Sequence, residues 1–195
     1  EGVEFDVHLT KDKVPVVMHD EEIDRTTDGT GFIKDYTISE LRKFHLANGE
    51  PVPMLSELFE VLQNRDIYIN LEFKTNKVHD VGIEGIVLAL AKKYHFVHPI
   101  IFSSFNYQTL KNCQRIDLHQ QYCFLTKMPV ALPERFVKKN HFAAIHPHFY
   151  LPSKVTQRIW TVDNPRIAKR YFKLGVAGIF TNNFELMNKV KEKSR

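Results

Sequence analysis

The chain has 195 residues, 43% of them hydrophobic and 26% charged, enough to bury one continuous core, so a single folded domain over residues 1–195 is the expectation. Its formal net charge of +4 and pI near 9.0 come from a small Lys/Arg excess over many interleaved acids, which suits an anionic small-molecule substrate and excludes the clustered basic stripe of a nucleic-acid binder. No apolar run approaches a membrane span. Two cysteines, Cys113 and Cys123, make neither a metal-ligand spacing nor a disulfide framework; with no visible leader they predict a cytoplasmic protein.

In chain order, Val3, Phe5 and Val7 alternate with Glu4 and Asp6, predicting a strand with both carboxylates on one face. A Thr10–Lys13 turn leads into a short strand over Val14–Met18, and polar, Gly-containing text runs from Asp24 to Asp35. Thr37-Ile38-Ser39-Glu40 is a capping pattern that opens a helix through Phe44. Leu55, Leu58, Phe59 and Leu62 recur at helical spacing, and the strand Ile67–Lys74 follows. The alternation then repeats: helix Val81–Tyr94, strand Ile100–Ser103, helix Tyr107–Arg115, strand Gln121–Leu125, helix Glu134–Asn140 and strand Ala143–His146. Strand Arg158–Val162, helix Pro165–Leu174, strand Gly178–Thr181 and a helix from Phe184 complete it. Strands alternating with helices predict a parallel α/β sheet, and the count is one βα unit short of an eight-stranded TIM barrel. A doubly wound open sheet is the alternative. The stretch between His148 and Trp160 is too short for the helix due there, so Pro152–Gln157 is expected to be a trimmed or mobile connection.

Three carboxylates lie on strands where core packing does not explain them: Glu4 and Asp6, two apart, and Glu72 near the end of an apolar strand. Carboxylates converging at strand ends repel one another, and a divalent cation resolves the repulsion; an all-oxygen set suits Mg²⁺ or Ca²⁺. The same spacing also fits a solvent-facing edge strand for Glu4 and Asp6, with Glu72 paired to Lys74. His19-Asp20 ends the Val14–Met18 strand, where a histidine can exchange protons at neutral pH, although taken alone a His beside an Asp is more often a surface residue. His146 and His148 are expected at a pocket rim or on the surface.

These residues fall in an ordered pattern. Glu4-Phe5-Asp6-Val7, Val14-Pro15-Val16-Val17-Met18-His19-Asp20 and Asp24-Arg25-Thr26-Thr27-Asp28-Gly29 are followed by Asn70-Leu71-Glu72-Phe73-Lys74, Phe102-Ser103-Ser104-Phe105, Trp160-Thr161-Val162-Asp163 and Gly178-Ile179-Phe180-Thr181-Asn182. The series resembles the glycerophosphodiester phosphodiesterase family over nearly the whole chain. The resemblance implies a (β/α)8 barrel in which Glu4, Asp6 and Glu72 bind Mg²⁺ or Ca²⁺, and His19 is one of two acid/base histidines. It implies Lys74 beside the phosphate and Phe105 and Trp160 lining a substrate pocket. The implied reaction is hydrolysis of a small-molecule glycerophosphodiester to sn-glycerol 3-phosphate and an alcohol. Alternatives are lysolipid hydrolysis of the phospholipase D type, favoured by Phe149, Tyr150 and Leu151, and a phosphate- or headgroup-binding module without turnover. The family's opening His-Arg and Glu-Asn segments would precede Glu1, so the first βα unit is expected to be missing from this chain. Asn182 stands where the family usually carries Asp, a change expected to affect a loop.

Overall fold

The computed structural model describes residues 1–193, and the chain divides into two compact units, Glu1–Gln121 and Tyr122–Arg195. In the first, β1 (Gly2–Leu9), β2 (Pro15–Val17), β3 (Tyr68–Phe73) and β4 (Ile101–Ser104) form a sheet in the order β2-β1-β3-β4. β2 is antiparallel to β1, while β1, β3 and β4 run parallel with Asp6 opposite Glu72 and Glu72 opposite Ser103. Phe5 through Leu9 are all buried, so β1 is covered on both faces. That burial rules out a solvent-facing edge strand for Asp6.

The helices follow from local signals. α1 (Ile38–Leu41) has the expected capping box, in which the Thr37 hydroxyl accepts from the Glu40 amide and the Glu40 carboxylate accepts from the Thr37 amide. α2 (Leu55–Leu62) is opened by Glu57, which accepts from the Met54 amide at 2.8 Å, and it buries Leu55, Phe59 and Leu62. Phe59 meets Phe5, Tyr94 and Phe96 edge-on, an arrangement worth about 0.5–1.5 kcal/mol per ring pair beyond area burial. α3 (Ile83–Ala91) starts later and stops earlier than the periodicity predicts; Gly82 at its N-cap has φ +87°, a left-handed conformation that suits glycine. α4 (Tyr107–Ile116) is capped by Asn106, whose Oδ1 accepts from the amides of Gln108 and Thr109. The long β2–α2 connection is held by its own core of Val16, Met18, Ile23, Ile33, Leu41 and Val52.

In the second unit, β5 (Gln121–Thr126) pairs parallel with β6 (Ala144–Pro147) around α5 (Pro133–Asn140). β7 (Arg158–Ile159) pairs parallel with β8 (Gly178–Ile179) around α6 (Pro165–Lys173), and α7 (Phe184–Glu192) follows. Ile159, Val162, Ala168 and Met187 form the core there. β7 and β8 are shorter than predicted. The Pro152–Gln157 connection is anchored: the buried Gln157 side chain donates to the Leu151 carbonyl at 2.7 Å and accepts from the Leu151 amide at 2.8 Å. One side chain thus satisfies the backbone that a helix would have satisfied internally. Cys113 and Cys123 are both buried. Among the described residues no helix is long and apolar enough to cross a membrane.

Candidate active site

The parallel register of β1 and β3 sets Asp6 beside Glu72, and the two-residue strand period adds Glu4 on the same face. One carboxylate oxygen from each of Glu4, Asp6 and Glu72 lies within 4.8 Å of the others. Lys74, one strand period beyond Glu72, places Nζ 3.1 Å from Asp6 Oδ1 and 3.0 Å from Glu72 Oε1. Three carboxylates therefore share a single ammonium.

The electrostatics record that imbalance. Burial, then the charges of Asp6 and Glu72, push the Glu4 carboxyl up to about 8, although Glu4 as a whole residue is exposed. Burial followed by Asp6 raises Glu72 to about 7 against the pull of Lys74. Burial alone would lower Lys74, but Glu72 and Asp6 outweigh it and keep the ammonium charged. Carboxyls held this high are short of positive charge, and an all-oxygen donor set with that deficit fits a hard divalent cation. Nearby on the sheet, Asn70 donates to Ser103 Oγ at 2.9 Å, and its Oδ1 is buried without a partner. Sequence reasoning missed this pair; the only available signal was its position on the carboxylate face of β3.

The backbone amide of Met18 donates to the Asp6 carbonyl at 3.1 Å, which ties the end of β2 to the carboxylate strand and sets His19 one residue past it. His19 is largely exposed, with Nδ1 2.5 Å from Asp20 Oδ1; Asp20 in turn accepts from Arg25 Nε at 2.6 Å. The bond from Arg25 holds the Asp20 carboxyl at about 2, so it stays ionised and orients the imidazole. Also on the Glu4/Asp6 face is His8, buried with Nδ1 3.5 Å from Asp80 Oδ2, a pair the sequence reading did not single out. Phe105 is half-buried directly after β4.

The second unit holds Trp160, half-buried, whose indole donates to the His146 carbonyl at 2.7 Å and whose ring lies 4.7 Å from His148. His146 is not at a rim: it is fully buried, with Nδ1 unpartnered and Nε2 3.4 Å from Arg158. Burial, then Arg158, lowers its pKa well below the ordinary range and keeps it neutral. Of the three apolar residues after His148, only Phe149 is exposed; Tyr150 packs on the Ile159 core and Leu151 is buried. Asn182 donates from both its amide and its side chain to Asp163, at 2.8 and 2.9 Å. A carboxylate in its place could not make the second bond.

The structure thus gathers Glu4, Asp6, Glu72 and Lys74 into one cluster, sets His19 and Phe105 at strand ends of the same unit, and holds Trp160 in the other unit.

The chain is 34% identical, over 98% of its length and 86% of the relative's, to a glycerophosphodiester phosphodiesterase of Caldanaerobacter subterraneus. A crystal structure of a glycerophosphodiester phosphodiesterase from Thermotoga maritima matches at 29% identity with a TM-score of 0.77, covering 97% of this chain and 84% of that one. An Oleispira antarctica phosphodiesterase, solved with the product sn-glycerol-3-phosphate, matches at a TM-score of 0.88 and 22% identity over 98% of this chain and 85% of that one. The fold class is the TIM-barrel type of these neighbours, which sets aside the doubly wound alternative. The sequence pattern of the Glycerophosphoryl diester phosphodiesterase family matches residues 1–186, and the chain belongs to that family.

Proposed function

We propose that this protein hydrolyses glycerophosphodiesters to sn-glycerol 3-phosphate and an alcohol, using a divalent cation, Mg²⁺ or Ca²⁺, held by Glu4, Asp6 and Glu72. The observation that carries the reading is the excess of carboxylate over cation in the Glu4/Asp6/Glu72/Lys74 cluster. When bound, the cation would offset the charge on a phosphoryl oxygen. Lys74 contributes a fixed ammonium to the same anionic group. With His19 Nδ1–H donated to Asp20, Nε2 is the atom that delivers a proton to the departing alcohol. The P–O bond to the headgroup breaks, the water oxygen ends on phosphorus, the His19 proton ends on the alcohol, and the proton that the water releases restores the imidazolium. Phe105 and Trp160 are assigned to apolar contacts with the substrate.

The test is release of sn-glycerol 3-phosphate from glycerophosphocholine by the full-length protein, with and without EDTA, beside Glu72→Ala. Release that needs the cation and is lost in the variant supports the hydrolase and its carboxylate site together. Metal binding without release from any glycerophosphodiester or lysolipid would instead leave a headgroup-binding module.

A further inference from the structure

Three of the exposed large apolar side chains of the second unit, Met128, Leu132 and Phe149, lie on two loops. β5 and β6 are parallel and end in register, with Thr126 opposite Pro147, so Lys127–Pro133 and His148–Gln157 leave the same end of adjacent strands. Both are fastened there. The Thr126 carbonyl accepts from the His148 amide at 3.0 Å, while Thr126 Oγ1 accepts from the Met128 amide at 3.0 Å and donates to the Met128 carbonyl at 2.7 Å. Glu134 Oε1 accepts from the Lys154 amide at 2.9 Å and joins the second loop to the start of α5. On this fastened backbone Met128, Leu132 and Phe149 are 72%, 66% and 58% exposed.

Folding does not explain these residues. Leu132 has φ +48° and ψ 61°, a left-handed conformation that disfavours a branched side chain, and it turns that side chain into solvent. A left-handed backbone and apolar exposure together mark a surface shaped for contact.

Charge identifies the partner. Residues 127–157 contain five cations, Lys127, Arg135, Lys138, Lys139 and Lys154, and one acid, Glu134. The segment therefore carries a net charge of +4. Lys127, Arg135 and Lys154 lie on or just after the same two loops and are exposed. Projecting apolar side chains with exposed lysine and arginine on and beside the same loops combine the two signals that reversible attachment to an anionic membrane requires.

We propose that the Lys127–Pro133 and His148–Gln157 loops dock the protein on the surface of an anionic phospholipid bilayer, Met128, Leu132 and Phe149 entering the headgroup layer and Lys127, Arg135 and Lys154 meeting lipid phosphates. The assignment rests on the second unit alone and stands apart from the hydrolase reading.

The experiment is co-sedimentation with vesicles of equimolar phosphatidylcholine and phosphatidylglycerol, against pure phosphatidylcholine, at low and high salt. Binding is expected on the anionic vesicles only and is expected to weaken with salt. Lys127→Ala and Lys154→Ala should each weaken it about fivefold, from the usual contribution of one basic residue near such a surface. Leu132→Gly with Met128→Ser should abolish it while the protein melts no lower than wild type, since glycine accepts the backbone conformation at 132 without strain. The proposal is overturned if anionic vesicles bind no better than neutral ones, or if these variants bind like wild type. It is equally overturned if lipid-free sedimentation shows a dimer that the same variants dissolve, because the partner is then a second copy.

Discussion

Replacing Glu72 by Gln keeps its shape and removes its charge, so the effect on the metal-free protein depends on whether that charge is structural or is waiting for a cation. In the folded state the Glu72 carboxyl is pushed up to about 7 from an ordinary 4.5. At about 1.4 kcal/mol per pH unit, ionising it at pH 8 costs about 3 kcal/mol. Because the folded value lies above the unfolded one, stability is whole below pH about 4.5 and this amount is lost as pH rises to about 7. Gln avoids the loss, and because the value of about 7 already includes the bond from Lys74 at 3.0 Å, nothing further is subtracted. The gain is about 3 kcal/mol at pH 8, or about 6–12 °C in melting temperature for a chain of this size. The assay is thermal unfolding by circular dichroism in EDTA and then with Mg²⁺ or Ca²⁺. Wild type should melt below the variant in EDTA and be raised by the cation, while the variant should respond weakly. A variant that melts lower than wild type in EDTA at pH 8, or that gains as much from the cation, would refute the argument.

Three further outcomes are expected. His19→Ala should lower kcat about 10²–10⁴-fold with little change in KM, the range for loss of a general acid, and leave the melting temperature unchanged because the side chain is 64% exposed. His146 is buried neutral, so below pH about 6.5 the unfolded chain takes up a proton that the folded chain refuses; stability should fall as pH drops from 7 to 5, and His146→Leu should flatten that fall in urea-unfolding midpoints. Gln157→Ala removes both bonds to Leu151 and should cost about 2–4 kcal/mol, with faster hydrogen exchange at the Leu151 amide as the local readout.

Much of the fold was legible because each element carries its own local signal. The capping box at Thr37–Glu40, the helical stripe through Leu55, Phe59 and Leu62, and the apolar strand around Leu71 are satisfied by neighbours in sequence, and all appear where expected. The edges were harder to place. β7 and β8 are cut to two residues each, and the buried Gln157 does the work assigned to a missing helix.

The site divides the same way. The two-residue period of a strand put Glu4 and Asp6 on one face from sequence alone, and the ordered motifs through Glu72, His19 and Trp160 pointed to the family. Local spacing could not tell a solvent-facing edge from a covered strand. The β1–β3 register decided that, bringing Glu72 beside Asp6 from 66 positions away and setting Lys74 between them. Nor could sequence separate buried His146 from exposed His148, or Leu151 from Phe149, because each pair has similar chemistry and close spacing. Period and capping act over a few residues and are written in the sequence, whereas burial and charge balance depend on which distant strands and loops meet, and only the tertiary structure sets that.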